Sequence, residues 1–353
     1  MHSWASVHRL AGTRRMISRG QAAVLENPDG HAAMRAWLRL NPGNRKPASI
    51  FSLYSDSVAN RSNRDRRKSS VFKLEGVGRA GAGIVAKSCN PETAGLERVI
   101  YERILPRLPI SSLQYYGHVE SGESHWLFLE YANGDAWEID DRQHLELAIR
   151  WLAEMHDSAA HLDTLSLLPG RGPEYYLSQL TTARQRIAEN ISNPALDGVS
   201  TVILDEFIAC SSLLQARWKE VEAFCRTVPE TLVHNDFLGK NVHVRSTKSG
   251  LDLLVFDWEM SGSGVPATDL FWLFQHAPEA SITRYWEQRR QFNSSIALQD
   301  IEYLFVLGAV FRVMDAVEWV SRYLLTGYPN RKIDHIQVHT DRLKHAFQVL
   351  GWT

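Results

Sequence analysis

The sequence has few features that would place the chain in a membrane, in an oxidising compartment or on nucleic acid. No run of 18 uninterrupted apolar residues occurs, so no membrane span is predicted. The net charge is −1 at pH 7, which gives no overall attraction to nucleic acid or to an anionic membrane surface. The three cysteines, Cys89, Cys210 and Cys225, form no CxxC pair. We interpret them as buried thiols in a reducing cytoplasm rather than as a disulfide framework.

Acidic residues are missing from the start of the chain. The first 25 residues contain four arginines, and the first carboxylate is Glu26. This bias is typical of an organelle transit peptide, but we favour a poorly packed extension or an upstream start codon. We therefore assign residues 1–45 to an N-terminal extension that carries one short helix, Ala32 to Leu40.

Along the rest of the sequence the predicted secondary structure changes once, from mostly strands to mostly helices. Between residues 49 and 131, short strand-like runs surround one helical pattern, Thr93 to Leu105. After Asn133 and Gly134 nearly everything is helical, except a hairpin between residues 241 and 256. The 353 residues suffice for two domains. We predict an α+β molecule of two lobes with a cleft: a small sheet N-lobe, residues 46–132, and a larger helical C-lobe, residues 133–353.

Three oxygen-bearing side chains stand out between residues 232 and 257, LVHNDFLGKNVHVRSTKSGLDLLVFD. Asn241 follows Asp236 by five residues, and Asp257 ends a predicted strand. Phosphoryl transfer needs a placed hydroxyl and a metal that neutralises the triphosphate. One carboxylate can accept the hydroxyl proton, and an amide and a second carboxylate suit Mg²⁺. The spacing of Asp236 and Asn241 is a loose match on its own, and an Asp at a strand end is often only a turn former. Together the two patterns predict a phosphoryl-transfer site.

These motifs resemble the aminoglycoside phosphotransferase and choline kinase family, a branch of the protein-kinase-like fold. That family has His-Gly-Asp with Asn five residues after the Asp, then Ile-Asp-Trp-Glu and a later Asp-Leu. Here VFDWEMSGSGVPATDL supplies Asp257, Trp258 and Glu259, then Asp269 and Leu270. The resemblance implies an antiparallel-sheet N-lobe and an ATP- and Mg²⁺-dependent O-phosphotransferase. Its substrate would be a hydroxyl of a sugar, an aminoglycoside-like compound or an amino alcohol.

The resemblance also implies a role for each residue of the catalytic loop. Asp236 would be the catalytic base, and Asn241 and Asp257 would be magnesium ligands. Asp269 would hold the loop in place, and His234 would orient it by hydrogen bonding. One residue departs from the pattern: Asn235 replaces the family's glycine, although Asn tolerates left-handed backbone angles.

At the nucleotide end, the strand Ile84 to Cys89 contains one charge, Lys87. The resemblance implies that Lys87 binds the α and β phosphates and that Glu97 on the next helix holds it. Glu102 is the alternative partner, although a surface pair with Arg98 suits it better.

Two further nucleotide contacts follow from the resemblance. Amides and hydroxyls near Ser69 and Ser70 would cradle the phosphates, because the segment 55–70 has no glycine. The carbonyl of Glu130 and the amide of Ala132 would bind adenine. We interpret the glycine-rich run 76–83 as a hairpin turn, the basic cluster between residues 61 and 68 as a solvated loop, and His156 as a packing residue.

The acceptor remains open at this stage. Residues 281–353 hold nine basic and seven acidic residues, a net of two positive charges that does not predict the acid-lined pocket a polycation favours. The alternative to an enzyme is a nucleotide-binding pseudokinase, favoured by Asn235 and by the glycine-free loop. A protein kinase is a third and weaker option. We predict a small hydroxyl compound as the partner, without nucleic acid or membrane, and leave the oligomeric state open.

Overall fold

A computed structural model describes residues 28–55, 70–121, 124–275, 278–292 and 296–352. These residues separate into two compact units. We name residues 28–147 and 239–260 the sheet unit, and residues 148–238 and 261–352 the helical unit. The units do not coincide with the predicted domain limits at residues 45 and 132, because the sheet unit includes both an N-terminal helix and the later hairpin.

The sheet unit contains a five-stranded antiparallel sheet in the order β1-β2-β3-β5-β4. Its strands are β1 (Ile50–Ser55), β2 (Ser70–Leu74), β3 (Ile84–Cys89), β4 (Tyr115–Ser121) and β5 (Ser124–Glu130). Its first helices are α1 (Pro28–Leu40) and α2 (Pro91–Val99), and α2 continues through a π-helical turn at Ile100–Ile104. The glycine-rich run joins β2 to β3 with positive φ at Gly76 and Gly81, which confirms the hairpin interpretation.

The helix α1 lies in the segment assigned to the N-terminal extension. Its residues Ala33, Ala36 and Trp37 are buried against the sheet. The ring of Trp37 contacts Phe128, with centroids 5.4 Å apart, and its Nε1 donates to the carbonyl of Arg45 at 3.0 Å. The apolar face of this helix therefore covers the sheet, and the prediction of a poorly packed extension concerns residues 1–25. The arginine-rich segment 1–25 lies outside the described residues.

A second sheet of the sheet unit has the order β6-β8-β9. Its strands are β6 (Asp135–Ala136), β8 (Val242–Thr247) and β9 (Gly250–Val255). The pairing of Val242 with Val255 and of Thr247 with Gly250 forms the hairpin that the sequence predicts.

The helical unit is built around the long helix α9. Its helices are α4 (Pro173–Asn190), α5 (Gly198–Ala216), α6 (Trp218–Cys225), α7 (Ala267–Phe274), α8 (Pro278–Phe292), α9 (Leu298–Ser321) and α10 (Ile333–Leu350); α3 (Arg142–Ala159) begins in the sheet unit and ends in the helical unit. The short strands β7 (Thr231–Val233) and β10 (Gly262–Gly264) pair with each other. The helices α5 and α6 are separate because Arg217 leaves the helical conformation at φ −95° and ψ 2°.

A side chain at Gly308 of α9 would meet the carbonyl of Ala267 at 2.0 Å. Helices α7 and α9 therefore approach each other as closely as only glycine allows.

Within the described residues, the helix α5 alone has the length and apolar composition that a membrane span needs. A packed core helix meets the same criteria. The buried face of α5 includes Leu204, Phe207 and Leu214, and Glu206 accepts hydrogen bonds from Lys344 and Gln337 of α10. These contacts are those of a helix packed in a bundle.

The cysteines form no disulfide. Cys89 and Cys225 are buried, and burial raises the pKa of each thiol to about 12. Cys210 is half-buried, and burial raises the pKa of its thiol as well. These thiols are protonated at neutral pH, as expected of structural cysteines.

Candidate active site

The hairpin β8–β9 brings Asn241 and Asp257 together in the sheet unit. The ladder continues one residue beyond the strands, because the amide of Phe256 donates to the carbonyl of Asn241 at 3.1 Å. Asp257 follows at once in a left-handed conformation, φ +69°. Asn241 is buried, whereas the side chain of Asp257 is 32% exposed.

Lys87 on β3 forms two ion pairs in the same unit. Its Nζ lies 2.5 Å from Oε1 of Glu97 and 2.6 Å from Oδ1 of Asp257. Glu97 reaches this position because α2 starts directly after β3, where the Asn90 side chain caps it by accepting from the amide of Thr93 at 2.8 Å. The predicted contact between Lys87 and Glu97 is present, and Glu102 instead pairs with Arg98 at 3.0 Å.

Burial and charge act in opposite directions on this group. Burial by itself lowers the pKa of Lys87, but Glu97 and Asp257 together raise it well above its ordinary value. Burial raises the pKa of Glu97 to about 7, although Lys87 opposes the shift. The second oxygen of Glu97, Oε2, is buried and has no hydrogen-bond partner among the described residues. The site therefore keeps a charged ammonium between one buried carboxylate and one that reaches solvent.

The donor atoms next to Lys87 fit a magnesium ion. Asn241 offers an amide oxygen and Asp257 a carboxylate, the hard ligands that Mg²⁺ prefers. The partial exposure of Asp257 leaves its carboxylate accessible to an ion that keeps several water ligands. Lys87 is not a competing ligand, because it holds its proton.

The loop that carries Asp236 lies in the helical unit and is anchored by Asp269 of α7. The carboxylate of Asp269 accepts hydrogen bonds from the backbone amides of His234 at 2.9 Å and of Asn235 at 2.8 Å. The amide of Asp236 donates to Nδ1 of His234 at 3.3 Å. His234 is fully buried, and its role in orienting the loop stays a prediction.

Asn235 accommodates the change from glycine. Its φ is +61°, in the left-handed region that Asn tolerates. Its Oδ1 accepts hydrogen bonds from the hydroxyls of Thr268 and Tyr176, the latter at 3.3 Å. The added side chain is therefore both buried and bonded.

His156 has a contact that the sequence interpretation missed. It is buried, as a packing residue would be, but its Nε2 lies 3.2 Å from the carboxylate of Asp269 and its Nδ1 lies 2.8 Å from the hydroxyl of Tyr285. Burial lowers the pKa of His156, so the ring is neutral at pH 7 and supports Asp269 by a hydrogen bond. The only sequence signal is a histidine on the apolar face of a helix, and such residues are mostly packing.

The predicted adenine contacts lie at the end of β5. The carboxylate of Glu130 accepts from Arg245 at 2.5 Å and from the amide of Gln114 at 3.1 Å. The carbonyl of Ala132 accepts from Nδ1 of His243 at 2.9 Å. These contacts fix the segment to the hairpin β8–β9, and the binding of adenine by Glu130 and Ala132 stays a prediction.

The predicted phosphate loop is described only at its end. Ser70 opens β2 and is paired with Ser88 of β3, next to Lys87. Ser69 and the basic residues between 61 and 68 lie outside the described residues. The role of Ser70 in phosphate binding also stays a prediction.

A sequence profile of the phosphotransferase enzyme family, APH, matches residues 88–300, more than half of the chain. The chain belongs to this family. It is a phosphotransferase that acts on a hydroxyl group. No curated protein sequence matches it.

Solved structures with the same fold cover most of this phosphotransferase. An aminoglycoside 2′-phosphotransferase-IIIa in complex with GDP is 13% identical, with a TM-score of 0.59, and the match covers 91% of this chain and 99% of that one. A spectinomycin phosphotransferase, APH(9)-Ia, in complex with ADP and spectinomycin is 10% identical, with a TM-score of 0.54 and coverage of 86% and 93%. A choline kinase from Cryptosporidium parvum Iowa II is 11% identical, with a TM-score of 0.54 and coverage of 86% and 91%. The predicted protein-kinase-like α+β fold is confirmed.

Proposed function

We propose that this phosphotransferase is a cytoplasmic small-molecule kinase that moves the γ-phosphoryl group of ATP to a hydroxyl of a sugar-like or amino-alcohol compound. The observation that carries the proposal is the position of Lys87 between Glu97 and Asp257. A buried, permanently charged ammonium beside a partly exposed carboxylate suits a phosphate chain with its metal. Neighbours solved with ADP or GDP support a nucleotide as the donor.

Each residue has one task in this proposal. Lys87 binds the α and β phosphates, and Glu97 holds its ammonium in position. Asn241 and Asp257 hold the magnesium, which when bound neutralises the triphosphate charge. The acceptor oxygen forms a bond to the γ-phosphorus while the bond from that phosphorus to the β–γ bridging oxygen breaks and ADP leaves. Asp236 takes the proton of the acceptor hydroxyl.

The alternative, an inactive nucleotide-binding protein, receives less support from the structure than from the sequence. One of its two arguments was the replacement of the loop glycine. Asn235 adopts the left-handed conformation and satisfies Thr268 and Tyr176 by hydrogen bonds. The replacement thus fits a loop that is held in place by Asp269.

Incubation with γ-labelled ATP, Mg²⁺ and a panel of hydroxyl compounds tests the proposal. We expect transfer of label to at least one compound, and we expect Asp236→Asn to lower kcat by about 10²- to 10⁴-fold. Binding of the Mg–nucleotide should remain, as measured by titration with a fluorescent nucleotide. The exposed residue Asp205 of α5 supplies the control Asp205→Asn. Equal turnover of parent and Asp236→Asn would exclude Asp236 as the base.

A further inference from the structure

Three side chains of the kinds that bind metal ions come together on the hairpin of β4 and β5, in the sheet unit. They are His118, Glu120 and His125. Their ligand atoms, one nitrogen of each ring and one oxygen of the carboxylate, all lie within 4.8 Å of one another. We name this group the hairpin triad. It shares no residue with the candidate active site.

The register of the hairpin places the triad on one face of the sheet. His118 and Glu120 are two residues apart on β4, and His125 of β5 pairs directly with Glu120. Side chains at alternate positions of a strand, and side chains directly opposite each other across a ladder, lie on the same face. Leu127, two residues beyond His125 on this face, is buried with Ala94 of α2. The backbone therefore holds the three side chains together beside α2.

The two rings of the triad already lie at the separation of two ligands on one metal ion. Nε2 of His118 is 3.1 Å from Nδ1 of His125, and the ring centroids are 5.3 Å apart. Ligand atoms about 2.0–2.1 Å from a tetrahedral zinc ion are roughly 3.3 Å from each other. Of two facing neutral nitrogens, one carries a hydrogen that the other accepts. A metal ion bound to both takes the place of that hydrogen, which moves to the far nitrogen of its own ring.

The charges around the triad favour a cation. Besides His125, three charged side chains act on His118: Arg98, Glu102 and Glu120. Arg98 is bonded to Glu102 at 3.0 Å, so these two charges offset each other. The carboxylate of Glu120 remains as the net charge of the group. Glu120 is exposed, so its side chain can turn to supply the third ligand.

The opposite face of the hairpin holds a further arginine. Arg39 of α1 donates to the hydroxyl of Ser121 at 3.2 Å, and Val119 packs against the core under α1. Because Val119 and Ser121 alternate with Glu120 along β4, Arg39 lies on the face away from the triad.

We propose that the hairpin triad binds a divalent transition-metal ion, with zinc as its representative. Two imidazole nitrogens and one carboxylate oxygen are a ligand set that zinc accepts, whereas Mg²⁺ takes oxygen ligands such as those of Asn241 and Asp257. The ion joins β4 to β5 and stabilises the folded hairpin, because the unfolded chain does not hold the three ligands together. This inference does not depend on the proposed function.

Zinc binding by the full, untagged chain tests the proposal. After treatment with a chelator, equilibrium dialysis against Zn²⁺ with Mg²⁺ in large excess should show one tightly bound zinc ion per chain. His118→Gln should weaken its binding about tenfold or more, since even the loss of an outer partner of a ligand costs that much. Glu120→Gln keeps the shape of the side chain but removes its charge, and it should weaken binding less.

Two control variants separate the triad from other zinc-binding groups. His161→Gln removes an exposed histidine, and Cys210→Ser removes the half-buried thiol. Both should keep the affinity of the parent for zinc. Co²⁺ as a probe should show the visible absorption of a bound ion in the parent and in both controls, and this absorption should be lost in His118→Gln.

Thermal unfolding gives a measurement that does not depend on the histidines being replaced. Glu120 is exposed, so Glu120→Gln without metal should unfold at the same temperature as the parent, and Zn²⁺ should stabilise the parent more than this variant. Equal affinity for zinc in the parent, His118→Gln and Glu120→Gln overturns the site. Loss of the zinc in Cys210→Ser, or no stoichiometric zinc in the parent, also overturns it. None of these outcomes bears on the proposed kinase activity, because the triad has no part in phosphoryl transfer.

Discussion

The two units of this phosphotransferase stabilise buried charge in different ways. In the sheet unit Lys87 is neutralised by two carboxylates, Glu97 and Asp257. In the helical unit Asp269 is stabilised by backbone amides and by the neutral ring of His156. Ion pairs between side chains can exchange partners when a ligand arrives, whereas backbone hydrogen bonds fix a conformation. The first arrangement suits binding and the second suits a rigid loop.

The largest effect is expected where the backbone anchor is removed. Asp269→Ala leaves the amides of His234 and Asn235 and the ring of His156 without their shared acceptor in a site that excludes water. We expect a loss of about 3–5 kcal/mol in the free energy of unfolding, measured with urea, and loss of turnover because the loop of Asp236 is released.

Asp205→Asn, on the exposed face of α5, is the matched control and should leave the unfolding curve in place. If Asp269→Ala unfolds at the same urea concentration as this control, Asp269 is not an anchor.

Breaking the ion pairs of the sheet unit should destabilise the protein less. Lys87→Met leaves Glu97 buried without its cation, but Glu97 can take up a proton because burial already raises its pKa to about 7. We expect a loss of about 2 kcal/mol in unfolding free energy at pH 7 and a large rise in the KM of ATP. Lys73→Met, in a partly exposed pair with Glu75, should cost less than about 1 kcal/mol.

The free energy of unfolding of Lys87→Met should depend on pH in a way that distinguishes this variant. A carboxyl whose pKa is raised in the folded state contributes stability below its ordinary pKa of about 4.5, and this contribution disappears as the pH rises through about 7. Without Lys87 the pKa of Glu97 rises further. The difference in stability between parent and Lys87→Met should therefore grow from pH 5.5 to pH 8, and a difference that shrinks would contradict it. Adding Glu97→Gln should remove the pH dependence.

The distance along the chain between interacting residues explains which parts of the fold and of the site could be predicted from the sequence. Lys87 and Glu97 are ten residues apart, on a strand and the helix that follows it, and the family resemblance implies their contact. Asn241 and Asp257 are joined by one hairpin, whose register follows from alternating apolar residues. The β2–β3 turn and the family motifs are local in the same sense. These parts of the fold and of the site are visible in the sequence.

Other parts depend on contacts between distant elements. β4 was not predicted because its residues are half-buried without apolar alternation. His156 lies 113 residues from Asp269, and its pattern is that of any core histidine. The packing of α1 on the sheet also depends on tertiary contacts.

The two units should also respond to acid with opposite signs. The pKa of His156 is lowered by burial, so its contribution to stability is present above the ordinary pKa of about 6.5 and is lost as the pH falls. Hydrogen exchange at the amides of His234 and Asn235, corrected for the intrinsic rate, should speed up between pH 7 and pH 5. Amides around Glu97 should become better protected over the same interval.

His156→Gln keeps a hydrogen-bonding side chain but cannot titrate. This variant should reduce the acid sensitivity of the loop amides. The sensitivity that remains is due to His339, which burial also keeps neutral. Identical pH profiles in parent and variant would show that His156 does not carry the effect.

The smallest effect is expected at Asn235, the one loop residue that departs from the family pattern. Asn235→Gly removes the acceptor of Thr268 and Tyr176 but also the strain of a side chain at φ +61°. The two changes oppose each other, so we expect a loss below about 1 kcal/mol and turnover within a few-fold of the parent. Asn235→Ala loses the same hydrogen bonds and keeps the strain, so it should be less stable than Asn235→Gly by about 1 kcal/mol. If Asn235→Gly were no more stable than Asn235→Ala, a side chain at this positive φ would carry no strain. Because Asp269 holds the amide of Asn235 in all three proteins, the difference between Asn235→Gly and Asn235→Ala measures the strain of a side chain at this positive φ.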